Sequence, residues 1–178
     1  MKKILAFAGS KSSTSINHTF VKHVAERLNG HEVKLLELRT LEIPMYSKDM
    51  EKNRGFPTDI IVLKNLIDEH DALVISVNEH NGGPSAFFKN ILDWLSRMDR
   101  NFLADKRILL MSTAPGTRGG ASSLEYCKGI FPRFGGQVIE SFSFPSFGEN
   151  FVDGAVINEV LEMGIEDVLT TFAHQIEA

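Results

Sequence analysis

Cysteine occurs once in this chain, at position 127, so no internal disulfide can form, and such usage fits a reducing compartment. Positive charge is also short. Nineteen Lys and Arg stand against 23 Asp and Glu, and the net charge of -4 gives no footprint for nucleic acid. No apolar run approaches the roughly 20 residues of a membrane span. Met1-Lys2-Lys3 followed by Ile-Leu-Ala-Phe-Ala imitates a secretory signal. Its apolar run stops at Gly9, short of the usual core of about 7–15 residues, so a cytoplasmic protein is expected. The six histidines show no ligand spacing, and His31-Glu32 lacks the second His of a zinc-protease helix, so no metal site is expected. Cys127-x5-Arg133 has a phosphatase-like spacing, but Cys127 falls in mid-helix, and a buried structural thiol is expected there. At 178 residues, with no repeat and no linker-like stretch, the chain reads as a single domain.

What is present begins with Lys3 to Ala8, a short apolar run suited to a buried parallel strand. The nine residues Gly9 to Asn17 follow, and five of them carry a hydroxyl. A helix then starts. A hydroxyl-rich turn between a buried strand and a helix N-terminus is suited to a phosphomonoester, because the free N–H groups and the helix dipole both favour an anion. The loop lacks the terminal Gly-Lys-Ser/Thr of a nucleoside triphosphate loop and the three spaced glycines of a dinucleotide fingerprint. The bland alternative is that Ser15 or Asn17 merely caps the helix, for which six polar residues are more than needed.

The first helix is expected from Asn17 to Leu28, and a second strand from Glu32 to Leu38. A long connection spans Arg39 to Pro57. A second helix starts at Thr58, with Ile61, Val62, Leu66 and Ile67 on its apolar face. Ala72 to Val77 is the third strand, and the polar turn Asn78 to Ser85 opens a helix over Ala86–Met98. That helix carries Phe88, Ile91, Leu92 and Leu95 on one face, with Phe87 and Trp94 on another. Asp93 reads as a surface residue of the same helix. A fourth strand (Arg107–Thr113), a helix (Ala121–Phe134), a fifth strand (Gln137–Phe144) and a last helix (Asn158–Ile176) complete the chain. Alternating strands and helices of this kind specify an open, doubly wound parallel sheet, an α/β fold of three layers. The polar turns after strands one, three and four then meet at the carboxyl edge, where ligands bind such sheets.

These stretches resemble the NAD(P)H-dependent FMN reductases of flavodoxin-like fold, whose relatives include azo, quinone and chromate reductases. Gly9-Ser10, Ser15 and Asn17 match that family's phosphate loop. Glu79-His80-Asn81-Gly82 is similar to its Glu-Tyr-Asn-Gly turn, and Lys89-Asn90-x-x-Asp93-Trp94 to the helix that follows. Ser112 through Gly120 resembles its Ser-x-x-Pro-Gly-x-x-Gly-Gly loop, and Pro44-Met45-Tyr46 its Pro-Leu-Tyr segment. Three residues depart from the pattern: Ser12 for Arg, Asn78 for Pro, and His80 for Tyr.

The resemblance implies a flavodoxin-like, five-stranded FMN-binding reductase domain. The phosphate would lie on Ser10, Ser12 and Ser15 and on the N–H groups of Ile16 and Asn17. The turn Asn78-Glu79-His80-Asn81-Gly82 would offer backbone N–H groups to the flavin ring, and Ser112 with the Pro115–Gly120 loop would close the other side. NAD(P)H would be the co-substrate, with Arg118 as a candidate for a 2′-phosphate, and electrons would pass by a ping-pong route to a flavin, quinone, azo compound or metal oxyanion. The alternative is a flavodoxin-type carrier served by a protein partner. His80 is either a wall beside the ring or a proton donor to the acceptor. The second apolar face of Ala86–Met98 implies a homodimer, or a tetramer of dimers.

Overall fold

Ile4, Leu5 and Ala6 have no solvent exposure at all, and neither do Leu73 and Val74 on the neighbouring strand. Such strands must be covered on both faces, which is why they read as unbroken apolar runs. The computed structural model describes all 178 residues. In chain order its first elements are β1 (Lys3–Ala8), α1 (Ile16–Ala25), β2 (Glu32–Leu36), α2 (Lys48–Arg54) and α3 (Thr58–Glu69). Next come β3 (Ala72–Val77), β4 (Glu79–His80), β5 (Gly83–Pro84), α4 (Ala86–Met98) and β6 (Arg107–Thr113). The rest are α5 (Ala121–Ile130), β7 (Gln137–Phe144), α6 (Phe147–Asn150), β8 (Phe151–Val152), β9 (Ala155–Val156) and α7 (Glu159–Glu177).

Five strands form one parallel sheet in the order β2-β1-β3-β6-β7. Side chains alternate across it with period two. Leu5, Phe7, Leu73, Ile75, Ile108 and Leu110 pack with α3, α4 and α5 on one face. Ile4, Ala6, Val74, Leu109 and Met111 pack with α1 and α7 on the other. This is the flavodoxin-like, three-layer α/β arrangement. The strand order reverses between β1 and β3, so a crevice opens at their carboxyl ends.

Several boundaries differ from expectation. The first helix ends at Ala25 rather than Leu28, because the N–H groups of Arg27 and Leu28 reach only to the third residue back. The second strand stops at Leu36, and Leu38 turns inward to start a short 3-10 turn. The helix expected over Ala121–Phe134 divides at Phe131, where Pro132 opens a 3-10 turn. On α3 the buried face is Ile60, Leu63 and Ile67, whereas Ile61 and Val62 are exposed.

The largest correction concerns the second face of α4. Trp94 is fully buried, and its Nε1 donates to Pro44 O at 2.8 Å. Asn90 Nδ2 donates to the same carbonyl, while Asn90 Oδ1 accepts from Tyr46 N–H. The rings of Tyr46 and Phe56 lie edge-on to Trp94, with centroids 5.0 and 6.2 Å away. Phe87 packs against the same core beneath Lys11. The connection from 39 to 57, which holds α2, therefore covers this face within one chain. Trp94 gives no ground for a homodimer or tetramer.

The stretch from Pro145 to Ile157, unassigned in the sequence, holds α6 and a β8–β9 hairpin. Its turn, Asp153-Gly154, has positive φ at both residues (50° and 82°), as a two-residue hairpin of primed type requires. No helix is long and apolar enough to cross a membrane.

Candidate functional site

The loop leaving β1 is pinned before it turns. Gly9 N–H donates to Ser76 O, and Gly9 O accepts from Ser85 Oγ, the residue that caps α4. A Cβ on Gly9 would sit 2.7 Å from the Phe88 ring, so only glycine permits this approach. Beyond it the hydroxyls shape the loop. Ser10 Oγ accepts from Ser12 N–H, and Ser12 Oγ accepts from Thr14 N–H, both at 3.2 Å. Lys11 turns away and donates to Leu41 O and Glu42.

Ser15 is the N-cap of α1, its Oγ accepting from His18 N–H at 3.2 Å. The capping alternative therefore holds for Ser15 itself. It leaves the N–H groups of Ile16 and Asn17 without an acceptor in the chain, at the positive end of the helix. Asn17 has a second role that the sequence did not disclose. Its side chain is buried, accepts from Ser76 Oγ and Thr113 N–H, and donates to Thr113 O. It ties α1 to the ends of β3 and β6.

The turn after β3 also divides its labour. The Glu79 carboxylate accepts from the N–H groups of Ser122 and Ser123, at 2.8 and 3.1 Å, and so caps α5. Its neighbour Gly120 can offer no side chain for that purpose. Ser123 Oγ returns a bond to Asn78 O. Asn81 and Gly82, with φ of 52° and 79°, form the exposed tip of the β4–β5 hairpin. Asn78 Nδ2 lies 3.4 Å from His80 Nε2, and Asn78 Oδ1 is buried without any partner.

A cavity of about 300 Å³ lies between these pieces. One wall carries Ser10, Ser12, Thr14 and Ser15, and the opposite one Asn78, Glu79 and His80. Thr113, Ala114 and Pro115 form the third. The structure thus brings together Ser10, Ser12, Ser15, Ile16, Asn17, Asn78, Glu79 and His80. It leaves Asn81 and Gly82 at the hairpin tip and Ser112 outside the lining. Ser112 is fully buried and its Oγ donates to Gly119 O at 2.7 Å. Sequence reasoning missed Thr14 and Thr113 as lining residues; the first was visible as one of the loop's five hydroxyl residues. Arg118 is held at α5, donating to Ser122 Oγ.

No Lys or Arg lines the cavity. Neutral donors and a helix terminus suit a phosphomonoester, and the orphaned Asn78 oxygen suits a ligand that also carries donors. FMN has both parts, so the residues present fit it. A larger cavity of about 370 Å³ lies at the sheet's amino end. There Lys106 is taken up by the carbonyls of Asp68 and His70, and Arg107 by Gln175 O. Cys127 is sealed in the core, where burial pushes its thiol up to about 12, so it supplies no thiolate. Asp93 pairs with Lys89 on the surface of α4.

The sequence profile of the NADPH-dependent FMN reductase family matches residues 2–149. A quinone reductase of Escherichia coli is 31% identical over an alignment 125 positions long that covers 65% of this chain and 66% of that one. The match to an NADPH:quinone oxidoreductase of Arabidopsis thaliana is 29% over 179 residues, covering 94% and 88% of the two chains. Among solved structures, FerB, a flavoenzyme NAD(P)H:(acceptor) oxidoreductase of Paracoccus denitrificans, superimposes with a TM-score of 0.83 over 99% of this chain and 98% of its own. Its 23% identity speaks for the fold alone. With the family profile covering both the hydroxyl-rich loop after β1 and the turn after β3, the chain belongs to the NADPH-dependent FMN reductase family.

Proposed function

We propose that this chain is an NAD(P)H-dependent oxidoreductase that holds FMN in the strand-end cavity and delivers electrons to a small acceptor, a quinone foremost. One observation carries the reading. The acceptor-free N–H groups of Ile16 and Asn17 and the hydroxyls of Ser10 and Ser12 share a cavity with the orphaned oxygen of Asn78. Relatives named quinone reductase and NADPH:quinone oxidoreductase favour the enzyme over a carrier with a protein partner.

Ser10, Ser12 and the first N–H groups of α1 would hold the phosphate, and Ser15 would keep those N–H groups aligned by capping the helix. The hairpin tip would offer backbone to the ring; a Cβ on Gly82 meets nothing within 4 Å, so the space above it is open. When bound, FMN would supply hydride acceptance from the nicotinamide and electron delivery to the acceptor. Hydride transfer needs no protein base, and the residues' task is to orient the partners and leave one side open. Nicotinamide and acceptor would use that side in turn, which gives ping-pong kinetics. His80, exposed and with Nε2 accepting from Asn78, would serve as a wall rather than a proton donor. The test is to reconstitute the chain with FMN, add NADPH without oxygen, and follow the visible flavin band. Bleaching, then recovery on adding a quinone, is expected. A band indifferent to NADPH would overturn the reading in favour of the carrier.

A further inference from the structure

Asn78 ends the sequence of residues that close β3, and it is 8% exposed. Its Oδ1 is the one buried side-chain nitrogen or oxygen in the chain without a partner. A buried acceptor left unpaired is disfavoured as much as a lost hydrogen bond, so such atoms call for a specific explanation. The polar neighbours on the cavity wall are already engaged. Ser10 Oγ accepts from Ser12, and Asn17 Oδ1 accepts from Ser76 and Thr113. None of them turns toward Asn78 Oδ1.

The other end of the carboxamide is held. Nδ2 has only protons to give, so with the amide in this orientation His80 Nε2, 3.4 Å away, is its acceptor. That contact decides which atom Asn78 keeps for its unpaired side: an acceptor. The two residues stand where the family resemblance places Pro and Tyr, and here they are bonded to one another.

We propose that Asn78 Oδ1 takes a hydrogen bond from a donor of the bound flavin, with His80 as the positioning residue that fixes the amide's orientation. This rests on FMN occupying the cavity. Two kinds of group in oxidised FMN donate, the ribityl hydroxyls and the ring N3–H, whereas the phosphate dianion only accepts. Asn78 therefore reads the flavin and is indifferent to the phosphate.

The experiment titrates apoprotein with FMN by fluorescence quenching, and with inorganic phosphate as competitor. Asn78→Leu should weaken FMN by about tenfold or more, with phosphate affinity unchanged. His80→Phe should weaken FMN by about threefold, and the double variant should be no weaker than Asn78→Leu alone, since both remove one interaction. N3-methyl FMN separates the donors. If Asn78→Leu costs it as much as it costs FMN, the donor is a ribityl hydroxyl; if the cost disappears, it is N3–H. Wild-type FMN affinity in Asn78→Leu, or an equal loss for phosphate, overturns the proposal. Should Asn78→Leu fail to fold, His80→Phe decides: unchanged FMN affinity overturns the proposal, and a loss confined to FMN supports it. Failure of the wild-type chain to bind FMN would instead remove the cofactor reading itself.

Discussion

Asn17 and Thr113 exchange two hydrogen bonds across 96 residues of sequence: the Asn17 amide donates to Thr113 O and accepts from Thr113 N–H, each at 3.1 Å. Ser76 Oγ adds a third bond at 2.8 Å. The helix that follows the hydroxyl-rich loop is thereby fixed to the ends of two sheet strands. Asn17→Ala strands three buried polar groups at once, and a loss of about 3 kcal/mol is expected. Urea unfolding of the apoprotein measures it, and a loss below about 1 kcal/mol would mean that water replaces the amide.

Ser15 separates capping from ligand binding. Asp is as good an N-cap as Ser, so Ser15→Asp should leave apoprotein stability within about 0.5 kcal/mol. The same carboxylate stands against the phosphate, and FMN binding should be abolished. Ser15→Ala reverses the pattern, costing about 1 kcal/mol of stability while leaving weakened but measurable binding. Thermal unfolding and FMN titration of the two variants together make the test.

Trp94 holds the 39–57 connection onto α4 through Pro44 O and the Tyr46 ring. Trp94→Phe should cost about 2 kcal/mol through the lost bond and lost volume. Trp94→Lys buries an unpaired charge and should unfold the chain rather than alter its association. Circular dichroism beside sedimentation distinguishes these outcomes; a folded Lys variant would show the connection to be dispensable.

His23 predicts a pH dependence. Burial first, and Arg27 beside it second, hold its imidazole below the usual value. Arg27 itself is bonded to Glu162 and Glu166 on α7, and the His23 ring meets Phe151 edge-on. Protonation is harder in the folded chain, so the unfolded state binds more protons below its own pKa of about 6.5, and stability falls as pH drops below that point. Above it this group contributes no slope. His23→Gln should flatten the fall, read as urea midpoints between about pH 7.5 and about pH 5; an identical fall in both chains assigns it elsewhere.

The buried strands were legible because position dictated composition. β1, β3 and β6 are covered from both sides, and their limits agree with the expected strands residue for residue, as do those of the half-buried edge strand β7. α4 was equally plain. What escaped reading was set by distant partners. Trp94 looked unpartnered because the carbonyl it needs lies 50 residues away. Asn17 and Ser112 were read from the family motif, and the buried bonds that orient their side chains could not be seen in local spacing. Glu79 was placed beside the ring by its motif, although its carboxylate serves a helix 43 residues on.

That use of Glu79 gives the cavity a direction. Three helices, α1, α4 and α5, begin around the carboxyl edge, and each amino end is a potential seat for an anion. Ser85 occupies the first turn of α4 and Glu79 that of α5, the latter with a full negative charge. Of these amino ends, only that of α1 lines the cavity with N–H groups that have no acceptor in the chain. An elongated ligand with one anionic end would therefore sit with its charged end toward α1 and its neutral end toward the hairpin, and a second anionic group would meet the carboxylate that caps α5.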